Sequence, residues 1–145
     1  MKKLICALVL ATAANFGLAQ AKDDGQELID KFFEVYKSKG YALAMRYAFG
    51  TNQWISPVGD EMDGVIVRLY KEVSTMGDYL GHEEIRSRTV GSRFRICTYF
   101  VYYQRDPMRF LFELYKTDKG WEITNVDFDR NFEAELEESM KLTDK

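Results

Sequence analysis

The sequence has few of the residues around which catalytic and metal sites are commonly built. It contains one histidine and two cysteines among 145 residues. His82 has no second histidine or cysteine at metal-ligand spacing, and the chain has no G-x-S-x-G motif that would support a Ser-His-Asp triad. Glycine-rich motifs for dinucleotides or phosphates are also missing. We therefore expect no metal ion and no cofactor.

The sequence also has few prolines and a small net charge. Two prolines, 46% apolar residues and 30% charged residues are typical of a globular chain rather than a disordered or collagen-like one. The formal net charge of −3 argues against nucleic-acid binding, because that affinity depends on neutralising phosphates. A length of 145 residues suits one domain.

The N-terminus has the three-part pattern of a secretory signal peptide. Lys2 and Lys3 precede an uncharged, mostly apolar stretch over residues 4–18, and an A-x-A cleavage motif ends at Ala21. The stretch is shorter than the ~20 apolar residues of a membrane-spanning helix. We predict a signal peptide over residues 1–21 and a single domain over residues 22–145, with an uncleaved membrane anchor as the alternative. The protein is then exported, to the periplasm of a Gram-negative bacterium or beyond the cell.

Cleavage would change the charge and the cysteine count. Loss of Lys2 and Lys3 moves the formal net charge from −3 to −5. Cys97 would be the one cysteine left, so no intramolecular disulfide could form. We expect Cys97 to be a small buried side chain in a strand.

The hydrophobic pattern changes from a helical period to a strand period after Gly81. Steps of three and four residues predict helices in the first half, over 24–38, 41–49 and 60–76. Aromatic and β-branched runs predict four strands, over 83–90, 94–103, 109–116 and 121–128, and a last helix follows over 131–142. The sequence therefore predicts an α+β fold, with N-terminal helices packed on an antiparallel sheet and a C-terminal helix.

A turn ending at Gly120 predicts the pairing of the last two strands. A three-residue loop with Gly120 in the left-handed conformation would set three pairs: Lys116–Glu122, Phe112–Val126 and Phe110–Phe128. One face then carries the apolar side chains of a core. The other face is mixed, and Leu111, Tyr115 and Ile123 would lie exposed on it, which indicates a partner surface or a homodimer contact.

The closing hairpin resembles that of small exported proteins in the NTF2-like (cystatin-like) superfamily. The resemblance rests on three segments, Phe112–Lys116, Asp118–Trp121 and Val126–Asp129. It extends over Gly77–Arg130, and residues 22–60 agree in element order alone. It implies a curved, cone-like sheet covered by helices, and an exported location. These relatives have no known function, and the fold hosts isomerases, dehydratases, ligand carriers and interaction modules, so no catalytic set follows.

Aromatic residues are the candidates for a ligand site inside such a cone. We expect Trp54, Tyr70, Tyr99 and Trp121 to line the cavity, although core packing is the alternative explanation for them. An isomerase-type site needs a carboxylate and a hydrogen-bond donor in an apolar cavity, and Asp127 and Tyr99 are the available pair.

Arginines cluster in the first two strands. On one end of the sheet, Arg86, Arg88, Arg93 and Arg95 could bind an anionic ligand or an acidic partner. The alternative is that they occupy the wet face of a strand. A loop over Val90–Ser92 would set Ile85 opposite Cys97.

These patterns favour a non-enzymatic function. We expect a binding or interaction module for a small apolar or anionic ligand, or for a protein of the cell envelope. The alternative is a small isomerase, dehydratase or hydrolase with its site inside the cone.

Overall fold

Three helices come first along the chain, and four strands follow them. The computed structural model describes residues 23–142, so the predicted leader and its cleavage site lie outside the described residues. The elements are α1 (Gln26–Lys39), α2 (Tyr41–Gly50), α3 (Asp60–Val73), β1 (Tyr79–Val90), β2 (Phe94–Tyr103), β3 (Met108–Thr117), β4 (Gly120–Asp129) and α4 (Glu133–Leu142). Within the described residues, no helix combines the length and the apolar character needed to cross a bilayer.

The four strands form one antiparallel sheet in the order β1-β2-β3-β4. This confirms the predicted α+β class, with helices followed by an antiparallel sheet. β1 begins at Tyr79, four residues before the predicted start at Glu83.

α1 supplies most of the helical side of the core. Its apolar side chains recur at steps of three and four residues, so one stripe of the helix faces the sheet. Phe32 packs edge-on against Phe112 of β3, with the ring centroids 5.0 Å apart. Burying a side chain of this size stabilises the fold by about 1.5–3 kcal/mol. The buried residues of α1 are Ile29, Phe32, Phe33 and Tyr36.

The pairing of β3 with β4 combines a correct and an incorrect prediction. Phe110 pairs with Phe128 as predicted, but Lys116 pairs with Trp121 rather than with Glu122. The loop has two residues, because Thr117 already pairs with Gly120. An extra residue at Thr124 then forms a β-bulge and restores the predicted register beyond it, with Phe112 opposite Val126.

The bulge also changes the predicted partner surface. Ile123 pairs with Leu114 and is fully buried in the core, so its predicted place on the exposed face is wrong. We call the side of the sheet away from α1 the outer face. Leu111 is half-buried on the outer face, and Tyr115 is 43% exposed.

The first hairpin differs from its prediction in the position of its loop. Val90 pairs with Phe94, so the three-residue loop is Gly91–Arg93 and begins one residue later than predicted. Cys97 therefore lies opposite Ser87 rather than Ile85. Cys97 is buried as expected, and burial raises the pKa of its thiol to about 11.

The chain returns to the outer face after β4. Phe132 packs edge-on against Phe100 of β2, with the ring centroids 5.5 Å apart. Arg109 of β3 then forms ion pairs with one residue before Phe132 and one residue after it. Its Nη2 lies 2.6 Å from Asp129 Oδ2, and its Nη1 lies 2.9 Å from Glu135 Oε1 in α4. Part of the outer face is therefore covered by this last segment.

Candidate functional site

Side chains fill the space between α1 and the sheet. Four phenylalanine rings meet there, each at most 1% exposed: Phe32, Phe33, Phe110 and Phe112. Their ring centroids lie 5.0–6.5 Å apart in five contacts, mostly edge-on. This is the packing of a core rather than of a ligand cavity.

The four aromatic residues expected to line one cavity lie in four different places. Trp54 is 84% exposed on the loop between α2 and α3, and Tyr70 is half-exposed on α3. Tyr99 is buried in the core. Trp121 is the second residue of β4, where its Nε1 donates a hydrogen bond to the backbone oxygen of Asp23 at 3.3 Å. The prediction that they share a cavity is therefore wrong.

The nominated enzyme pair does not converge either. Tyr99 pairs with Phe110, whereas Asp127 pairs with Leu111. Successive residues of a strand point to opposite faces, so Tyr99 and Asp127 lie on opposite sides of the sheet. Asp127 is exposed and forms an ion pair with Arg68 at 3.3 Å. One substrate could not contact both side chains.

The four arginines do not form one patch. Arg86 and Arg88 lie on the outer face, because their partners on β2 alternate with the core-facing residues. Arg93 lies in the hairpin loop, where its Nη1 is 3.2 Å from Asp118 Oδ1. Arg95 points towards the core. An anionic ligand on one face could not contact all four.

Arg95 is the centre of a buried polar network. Its side chain is only 4% exposed, and two carboxylates balance its charge. The network fastens the start of α1 to β1 and β2, so Arg95 is already fully engaged. Its contacts are Ser87 Oγ at 3.0 Å, the Asp24 backbone oxygen at 3.2 Å, Asp24 Oδ1 at 3.3 Å, Gln26 Oε1 at 2.7 Å and Glu84 Oε2 at 3.0 Å.

His82 is held in packing rather than poised for chemistry. Its ring stacks on Phe33, with centroids 3.7 Å apart, and its Nδ1 lies 2.6 Å from the Tyr79 hydroxyl. Burial lowers the pKa of His82. The neutral ring shares a hydrogen bond with the Tyr79 hydroxyl through Nδ1. In the described region, no group of three or more His, Cys, Asp or Glu side chains is placed to hold a metal ion.

A cavity of about 280 Å³ lies at one end of the molecule, where α1 ends and β1 begins. Tyrosine rings dominate its walls, so we call it the tyrosine pocket. Tyr41 and Tyr70 stack with centroids 6.4 Å apart, and Tyr36 and Tyr79 approach to 5.3 Å. Its five tyrosines are Tyr36, Tyr41, Tyr70, Tyr79 and Tyr103.

Two buried hydroxyls of this pocket bond to each other. The hydroxyls of Tyr36 and Tyr103 share a hydrogen bond in which either oxygen can be the donor. Only one proton can lie between the two oxygens. The second hydroxyl proton has no acceptor among the described residues. Burial raises the pKa of Tyr36 to about 12 and raises that of Tyr103 as well, so both phenols stay protonated.

No family model, curated protein or solved structure matches the chain. The geometry of its own residues is therefore the basis for a functional proposal.

The sequence contained a signal for the tyrosine pocket that the strand prediction missed. Tyr79 and Tyr103 are direct partners across the first hairpin. A strand predicted to begin at Glu83 leaves Tyr79 outside the sheet, so this pair is lost. Tyr70 was the one pocket tyrosine among the expected ligand-binding residues.

Proposed function

We propose that this chain is an exported, periplasmic, NTF2-like domain that binds a small molecule without catalysing a reaction. The tyrosine pocket is the ligand site. The observation that carries this proposal is the buried Tyr36–Tyr103 pair. One hydroxyl proton lies between the two oxygens, and the other is left to donate a hydrogen bond to a ligand.

The size and the walls of the pocket favour a small, flat ligand. A volume of about 280 Å³ lies just below the usual range of roughly 300–1,000 Å³ for ligand pockets. Tyrosine rings offer flat apolar faces, and stacked or edge-on rings prefer centroid distances of about 4.5–7 Å. A molecule with one or two rings suits these dimensions.

The polar groups of the pocket favour a neutral hydrogen-bond acceptor. Protonated phenols donate hydrogen bonds and do not act as bases near neutral pH. Asp78 is the one charged residue that lines the pocket, and its carboxylate disfavours an anion there. Of the two ligand classes expected from the sequence, the pocket therefore favours the apolar one, carrying a carbonyl or ether oxygen.

The arrangement favours binding over catalysis. Tyr99 and Asp127, the pair nominated for an isomerase, dehydratase or hydrolase, lie on opposite faces of the sheet. His82 Nδ1 already shares a hydrogen bond with the Tyr79 hydroxyl. Neither Asp127 nor His82 is therefore free to act as a base in the tyrosine pocket.

The family and the location rest on separate observations. The order of helices and then four antiparallel strands agrees with the NTF2-like resemblance of the closing hairpin. Export rests on the pattern of residues 1–21. Mass spectrometry of the exported protein should find Lys22 at its N-terminus, and a chain that retains residues 1–21 would favour a membrane anchor.

A protein partner remains part of the proposal, in a narrower form. Leu111 and Tyr115 still lie on the outer face, where a homodimer or an envelope protein could bind. Ile123 no longer contributes, and α4 covers a neighbouring part of the face. Light scattering that finds only monomer at high concentration would remove the homodimer.

Two matched ligands test the site. Acetophenone carries a ketone oxygen on one ring, and ethylbenzene is its counterpart without that oxygen. The double variant Tyr36→Phe/Tyr103→Phe removes both hydroxyls together, so no buried polar group is stranded. Saturation-transfer NMR should show that the double variant binds acetophenone about fivefold more weakly, since a neutral hydrogen bond contributes about 1 kcal/mol.

The control is Tyr102→Phe, at a half-exposed position on the outer face next to Tyr103. It should bind acetophenone as the unchanged protein does, and neither change should alter ethylbenzene binding. Equal acetophenone binding by the double variant and the control would refute the role of the hydroxyl pair. Absence of binding by either ligand would refute the site.

A further inference from the structure

A second hollow, of about 380 Å³, lies between the end of α2, the following loop, the start of α3 and the edge strand β4. We call it the tryptophan cleft. Its floor is apolar, and its rim includes a tryptophan ring, a carboxylate and an amide. The floor residues are Phe49, Met62 and Val65, and the rim residues are Trp54, Glu61 and Asn125.

Trp54 is presented to solvent by an ordered turn. Its side chain is 84% exposed, which is unusual for so large an apolar ring at the edge of a hollow. The backbone N–H of Trp54 donates to Asn52 Oδ1 at 2.9 Å, and that of Ile55 donates to the Asn52 backbone oxygen at 3.2 Å. Asn52 itself is buried. The turn therefore fixes the backbone of Trp54 at the rim, and its exposed ring is available to a ligand.

The charge at the rim is negative. Glu61 has no hydrogen bond or ion pair with any described residue, and no cationic side chain lines the cleft. Of its neighbours in the first turn of α3, Asp63 is neutralised by Arg46 at 2.5 Å. On the loop side, Lys119 Nζ lies 2.9 Å from the Gln53 side-chain oxygen.

The β-bulge of β4 places the second polar group. The extra residue, Thr124, donates a hydrogen bond from its hydroxyl to the Glu113 backbone oxygen at 3.1 Å. Bulges bend a strand and redirect the side chains beside them. The next residue, Asn125, lines the cleft, and its amide has no partner among the described residues.

We propose that the tryptophan cleft binds a methylated ammonium group such as that of choline. A cation is attracted to the face of a tryptophan ring, and a neighbouring carboxylate adds to that attraction. The ammonium group lies between Trp54 and Glu61, and its methyl groups contact the apolar floor. The Asn125 amide forms a hydrogen bond with a polar group of the ligand. This site is separate from the tyrosine pocket and does not depend on it.

Choline and a neutral analogue test the charge requirement. The analogue is the alcohol in which a carbon atom replaces the quaternary nitrogen, so that shape is kept and charge is lost. Binding is followed by Trp54 fluorescence in a Trp121→Phe background, which leaves one tryptophan. Choline should produce a saturable change in emission, and the neutral analogue should bind at least about tenfold more weakly.

Two variants locate the site. Glu61→Gln should weaken choline binding about fivefold, as expected for loss of one nearby charge. Glu72→Gln is the control, because it removes a half-buried carboxylate of the same helix that lies outside the cleft. Trp54→Leu, followed by calorimetry, should weaken choline binding about tenfold while circular dichroism stays unchanged.

Three results would overturn the proposal. The first is equal affinity for choline and its neutral analogue, which would indicate an apolar hollow without charge preference. The second is an equal effect of Glu61→Gln and Glu72→Gln, which would indicate diffuse electrostatic attraction. The third is the absence of any saturable change with choline.

Discussion

Replacing Arg95 by methionine tests whether the buried network fastens α1 to the sheet. Arg95→Met keeps an unbranched aliphatic stem but removes the cation that pairs with Asp24 and Glu84. Breaking a buried ion pair from one side costs about 3–5 kcal/mol. The Glu84 side chain is 37% exposed, so water can compensate part of its charge. We therefore expect the free energy of unfolding to fall by about 3 kcal/mol, the lower end of the range for a broken buried ion pair.

Urea unfolding followed by circular dichroism measures this loss. With a slope of about 1.5 kcal/mol/M, the midpoint should fall by about 2 M. Arg93→Met is the matched control, because its ion pair with Asp118 is exposed, and it should cost less than about 1 kcal/mol. Adding Glu84→Gln to Arg95→Met should recover part of the stability. Equal losses for the two arginine variants would refute the reasoning.

Two further predictions concern a glycine and the histidine. Gly25→Ala should destabilise the protein by more than about 1 kcal/mol in urea unfolding, because φ is 78° there and a Cβ atom would lie 2.8 Å from Leu114 Cδ2. Gly64→Ala, at an open helical position, should instead stabilise it by up to about 1 kcal/mol, and the opposite order would contradict this account. Because the pKa of His82 is below 6.5 in the folded protein, stability should fall as pH drops below about 6.5, where the unfolded chain binds the proton first. His82→Gln should flatten that part of the pH profile, and an unchanged profile would exclude His82 as its cause.

The sequence pattern determined which residues form the core better than it determined the pairing of strands. Alternation of apolar residues correctly placed Phe110 opposite Phe128, because a shift there would expose several rings. It could not predict the bulge at Thr124, since one extra residue leaves the core face almost unchanged. The error appeared at Ile123, on the turn side of the bulge.

The candidate sites were less predictable because they depend on convergence between distant elements. Tyr36 and Tyr103 come from a helix and a strand, and no local pattern predicts that their hydroxyls meet. Arg95 had a local signal, since it lies on the same, core-facing side of β2 as Cys97 and Tyr99. A charged residue in that position indicates a buried partner, and its partner Asp24 lies far away in sequence.

The charged side chains of β1 lie on a strand at the edge of the sheet. β1 is an edge strand of twelve residues, and most of its side chains are exposed. A long free edge is a template on which another chain can add a strand and begin to aggregate. Charged side chains such as Glu83, Arg86 and Arg88 oppose that addition, because a second strand would have to desolvate them or place like charges side by side. The arginines that do not form a ligand patch therefore help this open sheet to remain a single, unextended one.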